Sequence, residues 1–220
     1  MSESTQKPPY LETLYHQFLE TEHAAEFVRK ISGSYTLATL VRLAQAGRYT
    51  TRRAAVMAIS YLGDYRQNAV LGMALLDKDR GVRLLADNGI RDLWCRDGNQ
   101  VQQQELKQII RLNTAGLYEE CLPMADQFVK DAPWFAEGWN QRAIAQFAQK
   151  NFEQSASDCH MSLEINPYHF AAAVGMAHCY LELDDPFTAL ECFRRALKLN
   201  PDLSEVRVQV DYLQRTLEGK

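Results

Sequence analysis

The stretch LDDPFTALECFRRALKLNP, residues 183–201, decides the fold of the C-terminal half of this 220-residue chain. Its last proline is the third of a series, Pro133, Pro167 and Pro201, with a constant step of 34 residues. The same step repeats small residues at Cys121, Ser155 and Ala189. Two antiparallel helices approach closely only where small side chains face each other, and a proline ends the second helix because it lacks an N–H group. The period therefore predicts a series of stacked helical hairpins.

Aromatic and glycine residues of the same region fit a known repeat family. The quoted stretch resembles the second helix of a tetratricopeptide repeat, and Trp139, Phe152 and the Gly-Leu-Tyr tripeptide at 116–118 occupy that family's aromatic and glycine positions. The resemblance covers residues 102–201 as three repeats. It also implies a closing helix over residues 203–218, of the kind that solvates the end of such an array.

The N-terminal half repeats with a different step, of 31 residues. This shift aligns LVRLA at 40–44 with LGMAL at 71–75, and Arg52 with Arg83. The piece LLDKDRGVRLLA, residues 75–86, resembles a short HEAT repeat of the kind also found in bilin lyases. The resemblance implies that Asp77 and Arg83 take part in that family's ladder of carboxylate–guanidinium hydrogen bonds.

The two periods predict an all-α chain, a right-handed α-solenoid of helical hairpins in which HEAT-like repeats precede tetratricopeptide repeats. Apolar residues at helical spacing predict one capping helix over residues 10–32, after a disordered tail over 1–9. HEAT-like repeats then follow over 33–97. The turn-forming sequence at 96–99 marks the start of the tetratricopeptide array, which takes residues 98–220.

Composition favours a reduced, cytoplasmic protein without catalytic chemistry. No apolar stretch is long enough to span a membrane, and the polar N-terminus does not resemble a secretory signal. The five cysteines are odd in number and never form Cys-x-x-Cys. No phosphate-binding loop, nucleophile elbow or His-Glu-x-x-His pattern occurs, so we expect no enzyme activity and no cofactor. The pairs Cys159-His160 and His178-Cys179 are neighbours on helices and point about 100° apart, so we expect no metal site.

Charge is distributed unevenly along the chain, although the net charge is only −4. Residues 1–97 hold 13 Lys and Arg against 11 Asp and Glu, whereas residues 98–220 hold 11 against 17. The stretch from Phe27 to Gly63 has no acid at all. Its arginines could attract nucleic acid or another anionic partner, or could be ordinary solvated side chains and a repeat corner. The candidates for the anionic site are Arg42, Arg48, Arg52 and Arg53.

The tetratricopeptide resemblance implies that a partner lies in the groove lined by the first helix of each repeat. Carried over by position, the candidate partner-binding residues are Leu106, Ile110, Asn113, Glu137, Asn140, Ile144, Phe147, Val174, His178 and Leu181. Some relatives grip a chaperone's terminal carboxylate with basic residues here, but Leu106, Ile110, Val174 and Gly175 occupy those positions in this chain.

An apolar groove suits a partner helix or self-association, unless the closing helix or the N-terminal half covers it. We therefore expect a non-catalytic adaptor or scaffold whose partner is another protein or peptide. Nucleic acid is the alternative partner.

Overall fold

The structure is a computed structural model that describes residues 9–219. Residues 1–8, most of the predicted tail, lie outside the described residues. Within the described part, the chain forms thirteen α-helices and one short 3₁₀ helix (Tyr65–Gln67), with no strand. The prediction of an all-helical fold is confirmed. Contacts between residues divide the chain into two compact units, one ending at Leu93 and the other beginning at Trp94.

The first unit contains two helical hairpins, which follow a pair of helices in the sequence. Its helices are α1 (Tyr10–Thr21), α2 (Ala24–Ser32), α3 (Leu37–Ala46), α4 (Tyr49–Leu62), α5 (Asn68–Ala74) and α6 (Arg80–Trp94), of which the last residue, Trp94, belongs to the second unit. The step of 31 is visible in their starts, because α3 and α4 begin at 37 and 49, and α5 and α6 begin at 68 and 80. Thr36 caps α3 by accepting the backbone N–H of Thr39.

The single helix predicted over residues 10–32 is in fact two helices. Glu22 adopts a left-handed conformation with φ of 55°, and its N–H closes α1 by donating to the Phe18 carbonyl. The chain then reverses, so that the rings of Phe18 and Phe27 meet with centroids 5.4 Å apart. The apolar pattern continues across this break because both helices bury one face, which is why the periodicity alone concealed it.

A carboxylate–guanidinium pair links the two hairpins of this unit. The Asp77 carboxylate accepts two hydrogen bonds of 2.7 Å from Arg52, which belongs to the preceding hairpin. Arg83 donates to the backbone carbonyl groups of Asp77 and Lys78. Arg52 precedes Arg83 by one repeat step. The arginine at this repeat position in the first hairpin thus binds a carboxylate of the second hairpin. The bidentate pair therefore joins two hairpins rather than closing one corner.

The second unit consists of three hairpins and a final helix. Its helices are α7 (Gln100–Thr114), α8 (Tyr118–Asp131), α9 (Ala136–Ala148), α10 (Phe152–Ile165), α11 (Phe170–Glu182), α12 (Pro186–Leu199) and α13 (Ser204–Leu217). The second helices begin at 118, 152 and 186, and α11 and α13 begin at 170 and 204, so the step is again 34. The sequence analysis places three repeats over 102–201 and the closing helix over 203–218.

Small residues hold the helices of each hairpin together at equivalent places. Ser155 Oγ donates to the Ala143 carbonyl at 2.8 Å, and Cys121 Sγ lies 3.7 Å from the Ile109 carbonyl oxygen one repeat earlier. Ala189, one repeat later, is fully buried. These side chains are short enough to allow close approach of two helix backbones, as the 34-residue pattern requires.

Each hairpin of the second unit turns through a residue in the left-handed region. Gly116, Lys150 and Asp184 have φ values of 73°, 62° and 57°, and they follow one another at the repeat step. Only the first is a glycine, so the other two turns hold a side chain in a conformation that favours glycine.

Candidate partner-binding groove

The ten groove candidates divide into a buried set and an accessible set. Leu106, Asn113, Glu137 and Asn140 are buried, with exposed fractions between 0% and 9%. Ile144 is 42% exposed, and His178 is also exposed. The remaining candidates are half-buried: Ile110, Phe147, Val174 and Leu181. Only part of the groove inferred from the repeat positions therefore faces solvent.

Leu106 lies in the core of the first hairpin instead of lining a groove. It is completely buried in a cluster with Ile109, Cys121 and Phe128, and Ile110 packs against the same cluster. Ile109, which stands where the next two hairpins have Ala143 and Ala177, is also completely buried in this cluster. Leu106 consequently has no surface to offer a partner.

A buried polar network ties α7 to α9 at the next candidate positions. The Glu137 carboxylate accepts hydrogen bonds from Asn140 Nδ2 at 3.2 Å and from Gln141 Nε2 at 2.6 Å. Asn113 Nδ2 in turn donates to the Gln141 backbone carbonyl at 2.8 Å and to Gln141 Oε1 at 2.9 Å. Buried polar groups of this kind are costly to leave unpaired, so the network has a structural role.

His169 extends this network to α11, and the hydrogen bonds of its two ring nitrogens assign its tautomer. Its Nδ1 accepts the backbone N–H of Ala172 at 3.1 Å, which caps the N-terminus of α11. The proton must therefore be on Nε2, which lies 2.8 Å from Glu137 Oε2 and donates to it. The imidazole ring also stacks on Trp94, with ring centroids 4.0 Å apart and planes 17° apart. The sequence analysis missed Trp94 and Gln141 because neither follows from a repeat position of the groove.

An accessible pocket remains between α9 and α11. It has a volume of about 210 Å³ and is mainly apolar, and its lining residues are Asn140, Ala143, Ile144, Phe147, Ser155, Cys159, Ala171, Gly175 and His178. Phe147 is held against Phe152 with ring centroids 5.2 Å apart in a T-shaped arrangement. The Asn140 amide nitrogen is engaged by Glu137, so its amide oxygen is the group that can accept a hydrogen bond from a ligand.

The pocket carries little charge at neutral pH. Desolvation lowers the pKa of His178 below its ordinary value, and the ring lies edge-on to Phe193 with centroids 5.2 Å apart. Arg142 on α9 is bound by Asp158 at 2.6 and 2.7 Å and by Asp126 at 2.9 Å. Its positive charge is thus neutralised by two carboxylates and does not reach a ligand.

The thiols beneath the pocket are buried packing groups. Cys159 is 1% exposed, and its hydrogen bond with Cys179 together with burial raises the pKa of the Cys159 thiol well above its ordinary value. Cys179 Sγ lies 3.1 Å from Ser155 Oγ. Across residues 9–219, no three His, Cys, Asp or Glu side chains are grouped so that they could hold a metal ion.

The four arginines of the anionic-partner alternative are in different environments. Arg52 and Arg53 are engaged by Asp77 and Asp79, each through two hydrogen bonds of 2.6–2.7 Å. Arg42 and Arg48 are exposed.

None of the helices that the structure describes combines the length and apolar composition needed to cross a membrane.

Comparison with known proteins supports the tetratricopeptide repeat family for the C-terminal part of the chain. Residues 170–203 match the sequence model of the tetratricopeptide repeat. A TPR repeat-containing protein from Rhizobium etli is 33% identical over 136 residues, which are 60% of this chain and 65% of that protein. The chain thus spans just under two thirds of the length of this curated relative.

Two solved structures share the fold. They are the first TPR domain of Spaghetti (RPAP3) bound to the HSP90 peptide SRMEEVD and the NMR structure of the first TPR domain of human RPAP3. Each has a TM-score of 0.52 and 20% sequence identity, and they cover 55% and 56% of this chain and 96% of their own. The likeness at this identity concerns the arrangement of helical hairpins.

Proposed function

We propose that this chain is a non-catalytic adaptor that binds a partner protein in the groove between α9 and α11. The observation that carries the proposal is the accessible apolar pocket, in which Ile144 and His178 face solvent beside the half-buried Phe147. Pockets of this kind suit apolar side chains that anchor a partner. The first TPR domain of RPAP3, which shares this fold and binds an HSP90 peptide, adds support.

The proposed groove starts at α9 because its α7 side is already filled by the chain itself. The Gln141 side chain binds both Asn113 and Glu137, and Trp94 stacks on His169. A partner would have to break this network to reach the first hairpin. The second and third hairpins offer apolar surface without that cost.

Affinity capture with matched variants tests this proposal. The tagged chain is used to recover partners from its native lysate, and Ile144→Asp is compared with Val101→Asp, which changes a 62% exposed residue at the start of α7. We expect Ile144→Asp to lose the main partner and Val101→Asp to keep it, with equal melting temperatures. Recovery of the same partner by both variants would refute a groove at this place.

Binding of an anionic partner by the first unit is the second candidate function. It rests on the acid-free stretch Phe27 to Gly63 and on the exposed side chains of Arg42 and Arg48. The relevant variant is Arg42→Ala/Arg48→Ala, because Arg52 and Arg53 already hold carboxylates. Salt-sensitive binding to duplex DNA that this variant abolishes would favour the electrostatic function. The HEAT-like character of this unit remains a prediction.

We also propose a reducing, cytoplasmic location, which the five free thiols support.

A further inference from the structure

The final helix repeats the groove positions of the hairpins before it. Helix α13 begins 34 residues after α11, so Val208 and Tyr212 take the places in α13 that Val174 and His178 take in α11. Asn140 and Ile144 occupy the same places in α9. Asn140, Ile144 and His178 line the accessible pocket, whereas the half-buried Val174 packs against the neighbouring core cluster.

Both side chains on α13 are apolar and unusually exposed. Val208 is 67% exposed and Tyr212 is 65% exposed, whereas Val206, Val210 and Leu213 on the other side of the helix are buried in the core cluster with α12. Helix α13 therefore has two apolar faces, of which only one is used for folding. A helix that merely solvates the end of an array needs one.

The polar residues of α13 indicate that its second apolar face is not the surface on which the second helix of a hairpin would pack. A following second helix would pack on the positions that Ala173 and Ala177 occupy in α11, where both alanines are fully buried. One step later these positions hold Arg207 and Asp211, both exposed. Helix α13 is thus polar where a further hairpin would pack and apolar where the groove would continue.

Charge around this surface favours a basic occupant. Helix α11 contains no Lys or Arg and ends at Glu182, which is exposed and is followed by the exposed Asp184. The C-terminal end of a helix also carries partial negative charge. On α13 the exposed Glu205 and Asp211 are balanced by the exposed Arg207 and Arg215, so the excess of acid comes from the end of α11 and from residues 98–220 as a whole, which hold 17 Asp and Glu against 11 Lys and Arg.

We infer that Val208 and Tyr212 extend the groove onto α13 and that its occupant is a net-basic amphipathic helix of a partner protein. The inference rests on the proposed function, since it assumes that the pocket of α9 and α11 is the docking site. A partner that crosses α9, α11 and α13 spans two interhelix distances of about 8–10 Å each, or about 11–13 residues of α-helix. Its apolar residues follow one another at three- and four-residue steps.

A random peptide library displayed on phage identifies the occupant class directly. The library is selected on the immobilised full chain, and the enriched peptides are synthesised for fluorescence anisotropy. We expect enrichment of net-positive sequences with apolar residues at helical spacing, and loss of binding when proline replaces a central residue. Enrichment of acidic or proline-rich extended sequences would overturn the inference.

Three variants separate the extension from the groove itself. We expect Val208→Ser/Tyr212→Ser to weaken the enriched peptide about tenfold, which corresponds to about 1.4 kcal/mol. Phe187→Ser, a control at a 68% exposed aromatic residue of α12, should bind as the wild type does. If Ile144→Asp abolishes binding while Val208→Ser/Tyr212→Ser does not, the groove stands and its extension fails.

Two further outcomes also count against the inference. If no peptide is enriched, or if none of these variants changes binding, the proposed function fails as well. Sedimentation of the wild-type chain as a dimer that Val208→Ser/Tyr212→Ser dissociates would show a second copy as the occupant, and would overturn the assignment of a basic helix.

Discussion

His169 and Glu137 are joined by a hydrogen bond of 2.8 Å between His169 Nε2 and Glu137 Oε2, and both side chains are almost completely buried. The bond links α9 to the first residues of α11, because the other ring nitrogen of His169 caps that helix. Glu137 also accepts from Asn140 and Gln141, so one carboxylate satisfies three donors. This carboxylate therefore joins the second and third hairpins through buried hydrogen bonds, beside the apolar core that the two hairpins share.

Removal of this carboxylate should be strongly destabilising. In Glu137→Ala, the three donors lose their acceptor inside the protein, so we expect a loss of about 3 kcal/mol or more in the free energy of unfolding. Glu119→Ala removes an exposed carboxylate at the start of α8 and should cost far less. Urea unfolding followed by circular dichroism measures both. Equal midpoints for the two variants would mean that the network contributes nothing to stability.

The left-handed turn residues give a second prediction, in which substitutions at equivalent positions change the stability of the fold in opposite directions. Lys150→Gly should raise stability by about 0.5–1 kcal/mol, because the conformational penalty of a left-handed lysine exceeds the extra flexibility of glycine in the unfolded chain. Gly116→Ala places a side chain in the same conformation and should lower stability by about 1 kcal/mol. Thermal unfolding compares the two. A loss of stability in both variants would argue against strain at Lys150.

Acid should weaken the first unit through Asp79. Hydrogen bonds from Arg53 lower the pKa of the Asp79 carboxyl below its usual value. A lowered folded-state pKa gives stability that is present above the unfolded pKa of about 3.9 and is lost as the pH falls through the folded value. Asp79→Asn should therefore cost about 1–2 kcal/mol at pH 7 and progressively less below pH 4.

Thermal unfolding of the wild type and Asp79→Asn between pH 7 and pH 3.5 measures this effect. Glu20→Gln, which changes an exposed carboxylate of α1, is the control. A cost of Asp79→Asn that stays constant over this range would show that the ionised pair with Arg53 is not its source.

Features that depend on spacing could be predicted from the sequence, because each repeat needs the same small residues and the same stop signals. The hairpins of the second unit follow from the prolines and from Ser155 and Ala189, whose neighbours lie within one or two helices. The break at Glu22 could not be predicted, since both α1 and α2 bury apolar faces and the pattern runs through it. Only a left-handed residue distinguishes two helices from one there.

The candidate groove was predicted less well because burial depends on distant residues. Glu137 has a groove position by repeat counting, yet His169, which is 32 residues away, binds it and Trp94 stacks on that histidine. No local sequence pattern indicates such a contact. The accessibility of Ile144 and His178 was easier to predict. Among the described residues neither side chain has a polar partner far along the chain that would bury it, and both line the accessible pocket.

The character of the accessible groove yields the last prediction, which concerns acidic peptides. The peptide in the RPAP3 structure, SRMEEVD, ends in acidic residues and a carboxylate. In this chain Leu106 is buried, Val174 is apolar, and Arg142 is neutralised by Asp126 and Asp158, so none of these three residues offers a free cation to such a terminus. We expect no measurable binding of SRMEEVD by fluorescence anisotropy at physiological salt, with the RPAP3 domain as the positive control. Binding of this peptide with micromolar affinity, lost in Ile144→Asp, would show that the groove accepts an acidic ligand and would contradict the preference for apolar and basic partners.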